Sequence, residues 1–460
     1  MRGAGWKAPF WKLGWSPGEV KDVGRARVKA TTSEDGGAFR RWHDDGHLPE
    51  GVSMLAQGWV RSDKGRVRES NQDRYYCDGD VGVFAVADGM GGRAGGEVAS
   101  ERAVRLVEEA AMEFRALADA HAVGEDEAGR EAMFEALTRF MHRVNTEVYQ
   151  LGNQPAYPGG IGTTLDLVVL GAGVAYVAHV GDSRVYLMRE GAIYRITRDH
   201  TFEQHLRDHP ELRAHYPDAA RYTHVLTRCI GSAPHVEVDT ALVELEEGDR
   251  ILMCSDGLTR YLSGAEIATF ERHARGEALV KGLLEASLSR GGRDNVTAMV
   301  VEISEIEAGD FQRHPTRRDS LDKVELLRGL ELFEELDVPE LLKVVRYVYV
   351  REFRAGEQLV RRGDEVDGLY LIVSGEVSVR LAGRELNRVK AGGYFGELAL
   401  FGEPVRSADA CGEEDGEALF LSRDHLRELV TEDPALGNKV LLRLLAGASR
   451  LLQEIAGASA

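Results

Sequence analysis

Four aspartates stand where apolar runs meet glycine. Val83 to Ala87 runs into Asp88-Gly89, Ala175 to Val180 into Gly181-Asp182, Ile251 to Cys254 towards Asp256-Gly257, and Gly292-Arg293-Asp294 precedes Val296 to Ile303. Each run has the composition of a buried strand, so each carboxylate sits at a strand end. A single Asp-Gly is a common turn dipeptide. Four in one setting matter if a fold gathers those ends, because two carboxylates about 4 Å apart repel by roughly 4 kcal/mol at an effective dielectric of 20. Such a cluster needs cations. All-oxygen donors without His or Cys favour a hard divalent ion, Mg2+ or Mn2+. Gly89, having no side chain, lets its own carbonyl approach a metal.

The elements that must position these residues can be read from periodicity. From Gln57 to about Ile303 strand-like runs alternate with helical ones, an α/β or α+β signature. Ala99 to Met141 predicts two long helices with a polar break around Gly124 to Gly129. Leu167 to Val180, interrupted at Gly171, Ala172 and Gly173, reads as two strands and a glycine turn, and it cannot fill the roughly 20-residue span of a bilayer helix. Arg184 to Met188, Glu190-Gly191 and Ile193 to Ile196 read as a hairpin. Between Glu305 and Ser320 the apolar period is lost, which suggests a linker. Beyond it come a helix containing Leu326, Leu330 and Phe333, then short β runs punctuated by Gly356, Gly363, Gly375 and Gly392, the pattern of a small barrel or jelly roll. A closing helix follows, capped by Asp433 with Pro434 in its first turn and Leu441, Leu444, Leu445, Ala448, Leu452 and Ile455 on one face. The first 52 residues carry Trp6, Trp11, Trp15 and Trp42 without any period, so disorder is expected there. A second expectation is that the native chain starts at Met54, which its intact mass would show.

The segments Arg68-Glu69-Ser70-Asn71-Gln72-Asp73, Asp88-Gly89-Met90-Gly91-Gly92, Gly162-Thr163-Thr164, Val180-Gly181-Asp182-Ser183-Arg184, Ser255-Asp256-Gly257-Leu258-Thr259 and Gly292-Arg293-Asp294-Asn295-Val296-Thr297 resemble, in content and order, the motifs of the bacterial type-2C, metal-dependent protein serine/threonine phosphatases. The resemblance implies that Asp88 bridges two Mn2+ or Mg2+ ions, that Gly89 gives its carbonyl to one, and that Asp256 and Asp294 complete the other. It implies further that Asp73 acts from behind them through water, that Asp182 with Asp256 forms a weaker third site, and that Arg68 grips the substrate phosphate, a task suited to a guanidinium fork. Water activated by the two ions would then attack phosphorus in line, with no covalent intermediate. Met90 stands where some relatives carry a histidine able to protonate the leaving group, so no general acid is assigned. Gln72 replaces an acid found in some relatives and is left out of the metal ligands. His179, His200 and His224 read as structural or surface histidines. Phe202 to Thr223 corresponds to the family's flap beside the metals, a selector of substrates or simply a solvated loop.

Near the C-terminus, Phe395-Gly396-Glu397-Leu398-Ala399-Leu400, followed by Arg406, Ser407 and Ala408, resembles the phosphate-binding cassette of cyclic-nucleotide-binding domains. The resemblance implies a site for cAMP or cGMP built from Gly396, Glu397, Leu398, Ala399, Arg406 and Ser407. Arg406 would pair with the cyclic phosphate, backbone N–H groups of a short helix opening at Gly396-Glu397 would face it, and Glu397 would accept the ribose hydroxyl.

Together these readings predict an α+β protein. An α-β-β-α sandwich phosphatase domain at 53–305 follows an N-terminal extension at 1–52, and a linker at 306–322 leads to a β jelly-roll with flanking helices at 323–460. A formal charge of −19 argues against nucleic acid as a partner. The four cysteines, Cys77, Cys229, Cys254 and Cys411, show no paired spacing, and no secretion or membrane segment is evident, so a cytoplasmic monomer or homodimer is expected. Expected partners are phosphorylated proteins, substrates of a serine/threonine kinase. The competing expectation is a catalytically inactive phosphatase fold that docks phosphoproteins, with the C-terminal module as sensor or dimerisation unit.

Overall fold

The computed structural model describes residues 53–90, 95–120, 127–171, 173–216, 222–307, 320–365, 368–397 and 405–458. The expectations for 1–52, for most of the linker, and for Gly91, Gly92, Leu398 and Ala399 lie outside the described residues.

The N-terminal portion begins with β1 (Ser53–Asp63), β2 (Asp73–Asp78) and β3 (Val83–Met90), then two long helices, α1 (Gly95–Ala120) and α2 (Glu127–Gly152). Next come β4 (Gly162–Thr163), β5 (Leu165–Gly171), β6 (Val174–Val180), β7 (Arg184–Arg189) and β8 (Ala192–Arg195). The short α3 (Phe202–Asp208) precedes β9 (Asp239–Glu244) and β10 (Arg250–Cys254). Helices α4 (Asp256–Thr259), α5 (Gly264–His273) and α6 (Gly276–Ser289) then lead to β11 (Val296–Glu307). The expected hairpin forms between β7 and β8, with Glu190 and Gly191 both at positive φ as a tight turn of this hand requires. Gly173, at φ 76°, turns β5 into β6.

Two antiparallel sheets result, among the described residues: β1-β11-β10-β7-β8, and β2-β3-β5-β6-β9 with β4 beside β3. Strand alternation divides the apolar side chains between layers. On β3, Val83, Ala85 and Ala87 face α1 and α2, whereas Phe84 and Val86 enter the space between the sheets. Leu252, Cys254, Ala298 and Val300 cover the outer face of the other sheet under α5 and α6. The architecture is thus the α-β-β-α sandwich.

The C-terminal portion opens with α7 (Ser320–Arg328) and α8 (Val338–Val345). Leu330 and Phe333 are not part of α7, contrary to the expected single helix. The chain turns at Gly329, and they lie around a short 3-10 turn, Glu331–Phe333, where their i, i+3 spacing still buries both. Two four-stranded sheets follow among the described residues. One joins β12 (Val348–Phe353), β14 (Gly368–Ser374), β17 (Tyr394–Phe395) and β19 (Gly416–Ser422). The other joins β13 (Gln358–Val360), β15 (Glu376–Leu381), β16 (Arg384–Lys390) and β18 (Asp409–Gly412). They enclose Phe353, Tyr370, Ile372, Val377 and Phe395 as a jelly-roll core. Helices α9 (Arg423–Glu432) and α10 (Pro434–Ala458) close the chain, and the Asp433 carboxylate accepts the Leu436 N–H at 3.0 Å as the expected cap. One hydrophobic cluster runs from the space between the phosphatase-like sheets to Leu321, Val324, Leu341 and Leu444, so α7 and α8 pack the C-terminal portion onto β9.

Candidate functional site

The site forms where the ends of strands from both sheets meet. Asp88 lies at the end of β3, directly opposite Asp73 on β2. Its backbone is held on both sides: its N–H donates to Thr164 Oγ1 at 2.9 Å, and its carbonyl accepts the Thr164 N–H at 2.9 Å and the Thr163 hydroxyl at 3.0 Å. Gly89 packs backbone against backbone. A Cβ there would lie 2.1 Å from the Gly96 carbonyl oxygen of α1 and 2.7 Å from that of Gln72. Asp256 opens α4 just after β10, and Asp294 lies just before β11, the antiparallel neighbour of β10, so the two face each other across one sheet end. Asp182 sits in the crossing from β6 in one sheet to β7 in the other, beside Ser183, whose hydroxyl is 2.7 Å from Thr164 Oγ1.

Asp73 is buried among these groups. Its Oδ2 accepts the Ser255 hydroxyl at 2.8 Å and the Thr297 hydroxyl at 2.7 Å, while its Oδ1 is buried with no hydrogen-bond partner. Burial pushes Asp73 up to about 6, against the help of those two hydroxyls. Asp88 is held well above the usual carboxylate range by burial and then by Asp73, Asp256, Asp182 and Asp294. Asp182 is pushed up to about 8 by burial and the charges of Asp256 and Asp199, and Asp256 is raised by burial despite Arg260. Burial is the larger cause for each of these four carboxylates and the neighbouring carboxylates add to it, and a bound cation relieves both penalties on the charged form.

Two arginines reach the rim. Arg68 grips Asp294 with both prongs, Nε to Oδ1 at 2.7 Å and Nη2 to Oδ2 at 2.8 Å. Arg260 pairs with Asp256 at 2.6 Å and lies 3.6 Å from Asp294. Among the described residues no three His, Cys, Asp or Glu side chains are arranged to hold one ion. Mg2+ and similar ions, however, keep several waters and bind proteins through one or two carboxylates rather than full cages. Paired aspartates and the orphaned Asp73 Oδ1 suit that coordination, so the donor set fits a divalent metal.

Asp73, Asp88, Asp182, Asp256 and Asp294 therefore converge, with Gly89 and Arg68 beside them. Two participants escaped the sequence reading. Arg260 follows Asp256 by four residues, the spacing at which helix side chains meet, and that was its available signal. Asn295 anchors the loop carrying Arg68: its Oδ1 accepts the Gln72 N–H, and its Nδ2 donates to the carbonyls of Lys64 and Ser70, all at 2.9 Å. His179 is a buried structural histidine, its Nδ1 2.5 Å from Asp166, and His224 is exposed.

In the C-terminal portion a cavity of about 600 Å3 is lined by Glu397, Arg406 and Ser407 on one side and by Gly447 and Arg450 of α10 on another. Arg406 is buried, donating from Nη2 to the Gly368 carbonyl at 2.7 Å. Gly396, at φ 99°, is required: a Cβ would come within 2.5 Å of Arg406 Nη1. Burial raises Glu397 above the ordinary carboxylate value.

Residues 350–433 match the cyclic nucleotide-binding domain family, and residues 64–296, just over half of the chain, match the protein phosphatase 2C family. The chain is 33% identical over 256 residues to a serine/threonine phosphatase, stp, of Listeria innocua, covering 54% of this chain and 96% of that protein. It is 32% identical over 265 residues to the serine/threonine protein phosphatase PstP of Mycobacterium tuberculosis, covering 57% of this chain and 48% of that one. A crystal structure of the PstP catalytic domain in complex with two manganese ions aligns at 30% identity and a TM-score of 0.46, over 55% of this chain and 100% of the other. The chain belongs to the protein phosphatase 2C family of serine/threonine phosphatases and carries a cyclic-nucleotide-binding type of domain at its C-terminal end.

Proposed function

We propose that this phosphatase hydrolyses phosphoserine and phosphothreonine on proteins with two Mn2+ or Mg2+ ions, held by Asp88, Gly89, Asp256 and Asp294, and a weaker third at Asp182 and Asp256. The convergence of Asp73, Asp88, Asp182, Asp256 and Asp294 at the ends of strands from both sheets carries this reading, and Asp73, Asp88, Asp182 and Asp256 are each raised from the ordinary carboxylate value by burial and by neighbouring carboxylates. Such ions supply a nucleophile acidified from water and positive charge for the phosphoryl oxygens. The protein's own part is positioning. Asp73, with one oxygen held by Ser255 and Thr297, keeps its other, buried oxygen without a hydrogen-bond partner and so available to metal-bound water. Arg68, half exposed at the rim, turns its fork from Asp294 to the phosphate of an arriving substrate. Met90 brings no transferable proton to the leaving oxygen.

Binding of cAMP or cGMP in the C-terminal cavity, through Arg406 and Glu397, regulates the activity in this proposal. A cytoplasmic setting is part of this proposal, resting on the unpaired spacing of the cysteines. Separately, no helix among the described residues is long and apolar enough to cross a membrane. The Arg68 and Arg260 pairs on Asp294 and Asp256 favour a second reading, a phosphoprotein-docking fold whose carboxylates are neutralised by arginine. Phosphate release from a phosphothreonine peptide, measured with Mn2+ and with each cyclic nucleotide added, separates the two. Mn2+-dependent turnover supports the enzyme, and no release with Mn2+, with or without either nucleotide, leaves the docking reading.

A further inference from the structure

The segment between β8 and α3 is gripped from two sides. On the catalytic side, the His200 N–H donates to the Gly181 carbonyl at 2.7 Å, and His200 Nδ1 accepts the Gly181 N–H at 3.1 Å. Its proton therefore sits on Nε2, which faces Asp239 Oδ2 at 3.4 Å. His200 thus brackets the peptide unit that leads into Asp182. The neighbouring Arg198 carbonyl is 2.8 Å from Nε2 of the buried His179.

On the other side stands α8, and each of two charged residues on it is shared between the catalytic domain and α10. Glu340 Oε1 takes Arg198 Nη1 at 2.5 Å and Lys439 Nζ, from α10, at 2.7 Å. Lys343 Nζ bonds Asp433 Oδ2, the α10 cap, at 2.9 Å and lies 3.9 Å from Asp239 Oδ2. Arg198 also pairs with Asp208 and, at 3.4 Å, with Asp337. Arg228 reaches Asp239 at 3.0 Å. Glu340 is only 4% exposed, so losing one partner leaves charge stranded in a poorly solvated place. From Lys439 to Arg450, which lines the nucleotide cavity, is about 16 Å of a single helix. A shift of α10 at the cavity is therefore felt at both shared charges.

We propose that Glu340 and Lys343 are positioning residues that set the Gly181–Asp182 turn of the active site according to where α10 sits. Two chains of contact carry the effect: Lys343 to Asp239 to His200, and Glu340 to Arg198. The inference rests on the assignment of Asp182 to the metal cluster, and it names the regulation of that site.

Hydrogen exchange of the Gly181 amide in the full-length protein tests it, with Lys343→Met, Glu340→Gln and Lys439→Met compared with wild type, and Lys343→Arg as the conservative control. Expected is at least tenfold faster exchange at Gly181 in the first two, a smaller rise in Lys439→Met, near-wild-type exchange in Lys343→Arg, and no change along β5 and β10. Calorimetric Mn2+ titration adds a second readout: Lys343→Met weakens the weakest binding event roughly threefold to tenfold, and this effect vanishes in an Asp182→Asn background. Unchanged Gly181 exchange, or acceleration spread evenly through the catalytic domain, overturns the proposal, and a silent Lys439→Met overturns the link to α10. Faster exchange at Gly181 with an Asp182→Asn titration identical to wild type upholds the positioning role and removes Asp182 from the metal ligands instead.

Discussion

Replacing Gly89 with alanine tests whether the catalytic end of β3 tolerates any displacement. The added Cβ would lie 2.1 Å from the Gly96 carbonyl oxygen, whereas real contacts of this kind are essentially never under 3.0 Å. Both partners are backbone, and Gly96 is equally confined, since a Cβ there would meet the Gly89 carbonyl at 2.6 Å. No side chain can swing aside, so β3 and the start of α1 must part by roughly 1 Å. Overpacking of this kind costs about 1–3 kcal/mol, which for a domain of this size lowers Tm by roughly 2–12 °C. A displacement near 1 Å at a reacting centre costs on the order of a hundredfold in rate. The assay is a thermal melt without added metal, paired with phosphopeptide turnover in saturating Mn2+. Asp88→Asn serves as the comparison, since it removes charge without adding bulk. A Gly89→Ala protein with wild-type Tm and turnover within threefold of wild type would refute the reasoning, because the strand end would then be free to adjust.

Arg68→Ala removes a bidentate charge-assisted contact of about 1.5–3 kcal/mol, so kcat/KM for phosphopeptides should fall roughly 10-fold to 150-fold. Arg68→Lys should restore only part, because a point charge cannot reproduce the fork. Burial holds His200 down to about 4, against the opposing pull of Asp239, so it stays neutral in the fold while the unfolded chain protonates near 6.5. The resulting stability is complete above pH 6.5 and is lost as pH falls towards 4, by up to about 3 kcal/mol. Urea midpoints across that window should show the loss in wild type and a flatter profile in His200→Gln. In calorimetric titration with cAMP and cGMP, Arg406→Ala should abolish the heat of whichever nucleotide wild type binds. No heat from wild type with either would remove the nucleotide proposal.

The metal cluster is legible in the sequence because its chemistry and its local structure coincide: each aspartate adjoins a glycine at the end of an apolar run. The pairing of Asp73 with Asp88 is not legible. It depends on the register of β2 against β3, and register is set by the turn and by burial of one face rather than by either residue. Asn295 reads as a polar turn residue until the loop carrying Arg68 folds onto it. The first helix after the linker, α7, stops short of its expected length because Leu330 and Phe333 continue an i, i+3 pattern that a 3-10 turn satisfies as well as an α-helix does. The contacts between domains were hidden for a different reason. Arg198 and Asp239 lie far along the chain from Glu340 and Lys343, and each read alone is an ordinary surface charge. Only the packing of α8 against β9 makes them one part-buried network around the buried Glu340.

Anomalous scattering from crystals soaked in Mn2+ tests the central claim most directly. The account predicts two strong peaks, both coordinated by Asp88, with Asp256 and Asp294 turned from Arg260 and Arg68 to ligate one of them. Crystals without a peak beside Asp88, their arginine pairs on Asp256 and Asp294 intact in saturating manganese, would contradict it.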